Sequence, residues 1–541
     1  MNREKILNTV GFTLLGLCFL SALYSVIFRS VRDADPNLIT IRFAHWQLEG
    51  GLRGTFDDLA RQYEKICADR GQKVRVEQVT IPESVFGNWV LTQLVGGTAP
   101  QIIELGSMHI DRKARFFESL SGYVNEPNPY NAGTPLAGLP WRNTFVDGML
   151  STYDKDLLDY YSVPLSLFTV RLFYNKPLYE KIFGQDAPPP KDYRDFVRVC
   201  LAIQQYGQEH GLGIVPVAGS KYNEGQLTGR IAGSQTQKLN DRLNRKRTAS
   251  VDGNELYVSY LREQWGPRSP EIISSLRLTQ SFYQFFQPGF QQVDRDSGTL
   301  YFIQSRCVFI CTGSWDNTSF RIQAPFEIGV CDLPLPTKDD PEYGQYMKGP
   351  FPELSRTVGM GFGIVRGTPH TDMALDFLKF LTSYRGSEYF TKHSGWLPAI
   401  MNVPVDDQLK PFEPHMDGYP NGFGLALPAS NNQAVLMDNT AYLLQKYPDS
   451  PEAFLEAYEQ LDAFSAITND LKLWLAAARR SIVRADTLLA ANRALARGGS
   501  GIDSSAGRKF YELLEQQIQT EADAYSYEME MTQIWKERVK P

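Results

Sequence analysis

From residue 38 to residue 105 strand-like and helix-like segments alternate without a break, and that order leaves few folds open. LITIRFAHW (38–46) alternates apolar and polar residues with the two-residue period of a strand. TFDDLARQYEKICADRG (55–71) has a helical period, with Thr55 placed as N-cap and Gly71 as stop. KVRVEQVTI (73–81) predicts a second strand, NWVLTQLVGG (88–97) a helix ended by two glycines, and QIIEL (101–105) a short buried strand. Successive strands joined through helices run parallel, with the helices covering the sheet's faces.

The same alternation returns with different residues. VPLSLFTVRLFYN (163–175) is strand-like, PPPKDYRDFVRVCLAIQQYG (188–207) predicts a helix behind a triple proline, and GIVPVAG (213–219) another strand. In RCVFICTGSW (306–315) a buried strand ends on Gly313, and Trp315 stands just past its exit, the end of an α/β strand at which ligands collect. VGMGFGIVRGTPHTDMALDFLKFLTSYRG (358–386) adds a strand, a proline turn and a helix. A chain of 541 residues exceeds one ordinary core. The expectation is two α/β lobes, with the chain crossing between them more than once. From Ser450 the sequence is helical, and GGSGIDSS (498–505) is a flexible linker by composition.

Leu7 to Phe28 carries no charge and is flanked by Arg3 and Lys5 before it and by Arg29 and Arg32 after it, which predicts an uncleaved membrane-spanning helix. The formal net charge of -6 and the lack of a long basic run argue against nucleic-acid binding. Cys307 and Cys311 would lie about 13 Å apart on one strand face, too far to bridge, and read as small buried hydrophobes. His45, His109, His210, His370, His393 and His415 form no HExxH or close ligand pair. Asp57-Asp58 and Asp339-Asp340 sit where solvated charge is ordinary, so neither a metal site nor a catalytic site is expected.

An ordered series of short motifs over residues 38–465 resembles the extracellular solute-binding proteins of ABC importers, family 1, the sugar-binding type. The motifs are ITIRFAHW, the helix ending in YEK, GGTAPQII, VPLSLFTVRLFYNKPLYEK, CTGSW, GFGIVRGTPHTDMALDFLKFLTS and GWLPAI. The resemblance implies a two-lobe periplasmic-binding-protein-like α/β fold with hinge crossovers, here with an N-terminal transmembrane helix and a C-terminal helical extension added. The expected division is 1–36 anchor and linker; 37–163 lobe I, with 356–385 returning to it; 164–355 lobe II, with 386–465; and 466–541 the extension. Gln101 departs from the family, which usually carries an acidic residue there.

The implied function is capture of a sugar or oligosaccharide between the lobes for the permease subunits of an ABC importer. The chain would be held in the bacterial cytoplasmic membrane through residues 7–28, with its bulk on the periplasmic or extracellular side and without cofactor or catalysis. The alternative is a ligand sensor or scaffold that uses the same cleft to regulate a partner. Sugar recognition needs aromatic faces and fixed polar groups. The aromatic candidates are Trp46, Phe168, Tyr222, Trp315 and Trp396, with core filling the rival role for Trp46 and Trp315. The polar and backbone candidates are Gln47, Glu49, Glu104, Gly106, Ser107, Asn223 and Asp316, with pairing to Arg112 or Arg115 the rival role for Glu104. Ser166 is a further candidate for the cleft floor, whereas Tyr174, Asn175 and Lys176 are expected to be structural.

Overall fold

The structure is a computed structural model that describes residues 37–106, 108, 110–154, 157, 159–247, 251, 253–353, 358–424, 442–447, 450–460 and 505–538, with isolated positions between 476 and 497. The expected span at residues 7–28 lies outside these; among the described residues no helix is long and apolar enough to cross a membrane.

Twelve strands are described: β1 (Ile39–His45), β2 (Val74–Thr80), β3 (Ile102–Glu104), β4 (Tyr153–Asp154), β5 (Asp159–Tyr160), β6 (Val163–Leu167), β7 (Val170–Asn175), β8 (Val215–Ala218), β9 (Cys307–Gly313), β10 (Ile328–Cys331), β11 (Val358–Ile364) and β12 (Leu397–Pro398). The first lobe is built on a six-stranded sheet of order β12-β6-β11-β3-β1-β2, the second on a four-stranded sheet of order β10-β7-β9-β8. β1 pairs parallel with both β2 and β3, as the alternation of its sequence requires. β11 inserts antiparallel between β3 and β6, so the first sheet, begun at Ile39, is completed only by Val358–Ile364. β9 is buried along its whole length and pairs with both β7 and β8.

Three local expectations are corrected. The helix over 52–69 begins three residues before Thr55; its N-cap is Gly51 at φ 87°, and the Thr55 hydroxyl donates back to the Gly51 carbonyl at 2.8 Å. VPLSLFTVRLFYN is two strands in two sheets, with the crossing at Phe168-Thr169. Residues 386–398, expected with the second lobe, go with the first: Leu397-Pro398 pairs with β6, and Phe390 lies 5.8 Å from Phe56 of the helix Leu52–Asp69. Apolar contact decides the lobe here, because Phe390 and Leu397 are buried against the first core. The chain then crosses again, and Phe412 reaches Phe173 of β7 at 5.4 Å.

Beside the hinge, Arg171 is fully buried on β7. Its guanidinium donates to both carboxylate oxygens of Glu353, at 2.6 and 3.0 Å, and to the carbonyls of Pro411 and Glu413, at 2.8 and 2.9 Å. One cation thus ties three separate chain segments together. Asn175 is structural, as expected: its side chain accepts from Leu178 N and caps the helix Lys176–Phe183. Cys67, Cys200, Cys307, Cys311 and Cys331 are free thiols.

Candidate functional site

Between the lobes lies a cleft of about 840 Å³. Its floor is aromatic. Phe168, at the β6–β7 crossing, meets Trp315 edge-on with ring centres 5.2 Å apart and an interplanar angle of 83°, and meets Trp396 at 5.2 Å and 75°. Two glycines make this cluster possible. A Cβ on Gly313 would stand 2.2 Å from the Trp315 ring, and one on Gly359 would stand 1.7 Å from the Phe168 ring. The small residues before Trp315 therefore let the indole lie against the end of its own strand. Gly359→Ala is expected to push Phe168 out of its seat and, through Phe168, to disorder both tryptophans; loss of the near-ultraviolet circular dichroism of the cluster with unchanged far-ultraviolet signal checks this.

The first-lobe wall comes from the carboxyl ends of β1 and β3. Trp46 packs on Phe86 at 5.0 Å while facing the cleft. Glu104 is buried and accepts from Gln47 Nε2 at 2.5 Å and from Trp46 N at 3.4 Å. Burial pushes its carboxyl up to about 8; these two hydrogen bonds oppose the shift, and the neighbouring charges of Glu49 and Glu83 add to it. Burial thus favours the neutral acid form of Glu104, which can donate as well as accept. Between the ordinary carboxyl value of 4.5 and about 8 the folded chain keeps a proton that the unfolded chain releases. Stability consequently falls as pH rises through that window. Glu104→Gln removes this dependence, so the variant's stability relative to the parent rises from pH 5 to pH 9, as read by chemical denaturation at the two values.

The second-lobe wall presents Tyr222 and Arg295, the guanidinium lying 5.0 Å from the Tyr222 ring centre. Asp316 does not line the cleft: it is buried behind Arg295, accepting from it at 2.8 Å and from the Thr312 hydroxyl at 2.6 Å, and so orients it. Asn223 is also behind the wall, where its amide donates to the Cys311 carbonyl at 2.9 Å and fastens the start of the helix Lys221–Ala232 to β9. Ser166 turns away from the cleft and donates to the Leu397 carbonyl at 2.8 Å. Ser107 lies outside the described residues.

The cleft brings together Trp46, Gln47, Glu49, Glu104, Gly106, Phe168, Tyr222, Trp315 and Trp396. The sequence reading missed Arg295, Glu83, Met360 and the pair Lys113–Asp154 at 3.2 Å, all of which also line it. Arg295 stands at the first position of a short helix whose Asp294 cap was a readable signal for the helix but not for the cleft. Gln101, the departure noted in the sequence, is no part of the cleft: its side chain accepts from Arg42 N at 3.0 Å and donates to the Thr40 carbonyl at 3.2 Å, knitting β3 to β1. Among the described residues, two buried polar atoms without a hydrogen-bond partner belong to cleft residues, Glu49 Oε2 and Trp396 Nε1.

No protein-family profile matches the chain. An uncharacterized ABC transporter extracellular-binding protein of Pyrococcus horikoshii is 20% identical over 389 residues, covering 68% of this chain and 73% of that protein. Among solved structures, the GacH receptor of Streptomyces glaucescens, crystallised unliganded and with acarbose, superposes with a TM-score of 0.56 at 16% identity, over 80% of this chain and 98% of its own. RafE of Streptococcus pneumoniae in its apo form superposes with a TM-score of 0.52 at 16% identity, over 80% of this chain and 96% of its own. The chain has the fold of the ABC-transporter solute-binding proteins. In this solute-binding-protein fold the two sheets are the two lobes, and the cleft just described is the space between them. The proteins that share the fold here are binding proteins and not enzymes.

Proposed function

We propose that the protein is an extracytoplasmic receptor that captures a sugar or oligosaccharide between its lobes and presents it to the permease subunits of an ABC importer, tethered to the membrane through residues 7–28. The observation that carries this reading is the aromatic floor of Phe168, Trp315 and Trp396 beneath a polar wall, since apolar ring faces and fixed hydrogen-bonding groups together fit the two sides of a pyranose. Trp315 takes a C–H face of the sugar, and the almost wholly buried Trp396 backs the floor beneath it. Trp46, Phe168 and Tyr222 frame it, and Gly106 leaves room at the wall. Gln47, Glu49 and Glu104 bind hydroxyls on the first lobe and Arg295 on the second. Glu49 Oε2 and Trp396 Nε1, buried beside the cleft without a hydrogen-bond partner, would be satisfied by such hydroxyls. A ligand that touches both walls stabilises the closed arrangement by its greater affinity for it.

The test is calorimetric titration of the full-length chain with mono- and oligosaccharides, polyols and amino acids. Saturable binding of one sugar class with a matching rise in melting temperature supports the reading. Absence of binding to every sugar would overturn it in favour of the sensing or scaffolding role.

A further inference from the structure

The 34-residue helix Ser505–Arg538 touches both lobes. Near its start, Lys509 Nζ donates to the Ser121 hydroxyl at 2.8 Å, and Glu512 stands 3.7 Å from Arg142; Ser121 and Arg142 belong to the first lobe. Further along, Asp523 pairs with Lys246 at 2.6 Å and Glu530 with Arg245 at 2.6 Å, on the second lobe. Tyr527, Met531 and Ile534 join the second lobe's apolar cluster with Leu256 and Trp265. Lys509 and Glu530 are 21 residues apart, about 31 Å along a helix. The hinge at Phe168-Thr169 is a separate connection.

We propose that this helix is a strut between the lobes, docked firmly on the second and latched releasably on the first through Lys509 and Glu512. The proposal rests on the lobe movement of the preceding reading, but not on the identity of the ligand. A rigid rod fixed to two bodies on either side of a hinge cannot stay fixed to both when they rotate. The two ends differ in what holds them. The second-lobe end packs Tyr527, Met531 and Ile534 into that lobe's own apolar cluster, whereas the apolar side chains near the other end, Leu513 with Phe510 and Leu514, gather around Leu489, and the ties named here to the first lobe are polar, centred on an ammonium whose burial carries a cost. Burial pushes the Lys509 ammonium below its ordinary value, in keeping with that balance. The first-lobe end is therefore the one that lets go, and the strut holds the ligand-free lobes at a set spacing until it does.

The experiment needs no ligand. Spin labels at Lys65→Cys on the first lobe and Gln208→Cys on the second, both exposed positions, are placed in the full chain with Cys18→Ser and Cys331→Ser. Pulsed dipolar spectroscopy then compares the parent latch with Lys509→Ala/Glu512→Ala and, separately, with Lys509→Glu. Either latch variant is expected to broaden the interlobe distance distribution. Hydrogen exchange is expected to rise over residues 505–515 while residues 523–534 stay protected. Distance distributions that match the parent in both variants overturn the strut, whether or not the chain binds sugar. A chain that binds no sugar but shows the broadening keeps the strut and loses only the receptor reading.

Discussion

Trp315→Ala is expected to weaken sugar binding about 30- to 700-fold, the range that truncating a central aromatic anchor by 2–4 kcal/mol produces. The reason is position. Trp315 is half-buried at the cleft end of β9, its ring is set by Phe168 at 5.2 Å, and its remaining surface belongs to the cleft. The alanine variant loses both the face offered to a ligand and packing against the cores of the two lobes. The melting temperature of the ligand-free chain is expected to fall as well, by less than a fully buried tryptophan would cost. Titration calorimetry with the sugar identified for the parent gives the affinity, and a thermal melt without sugar gives the control. A large drop in melting temperature with unchanged affinity would make Trp315 a core residue and remove the aromatic floor from the binding account.

Arg171→Met is expected to have the largest effect on stability, a loss of about 3–5 kcal/mol, because it strands the buried Glu353 carboxylate without its partner. The change also leaves the carbonyls of Pro411 and Glu413 without their donor, loosening the segment that crosses back to the second lobe. Adding Glu353→Gln to Arg171→Met is expected to restore part of the loss, since it removes the stranded charge. Two single variants that each lose more than the double variant, in chemical denaturation at pH 7, would establish that the pair acts as a unit. Additive losses would show that Arg171 acts mainly by packing.

Much of this architecture was legible in the sequence because its early strands alternate. Ile39–His45 and Val74–Thr80 have one face toward the core, so polar residues mark the period. The hinge was not legible in the same way. Val163–Leu167 and Val170–Asn175 are buried at every position, and the polar Ser166, Thr169 and Arg171 are buried with them, so no alternation of polar and apolar residues marks where one sheet stops and the next begins. The aromatic side of the cleft was found because Trp46 and Trp315 stand at strand exits. Its charged side was not, because Arg295, Lys113 and Glu83 come from three separate helical segments that only tertiary packing brings to one space. Asp316 and Asn223 illustrate the converse error: both follow a strand exit, yet both face inward, one to hold Arg295 and the other to hold a helix start.

The order β12-β6-β11-β3-β1-β2 also bears on how the chain is made. A ribosome delivers β1, β2 and β3 first, but their sheet lacks its central partner until β11 has emerged, whereas the strands of the second sheet all lie within residues 170–331. The second sheet is complete as a contiguous stretch while the first still waits for Val358–Ile364. The N-terminal segment thus stays unfinished through most of synthesis, with an open strand edge that pairing has yet to cover. A chain in that state is available both to factors that hold nascent proteins unfolded and to misassociation with its own copies.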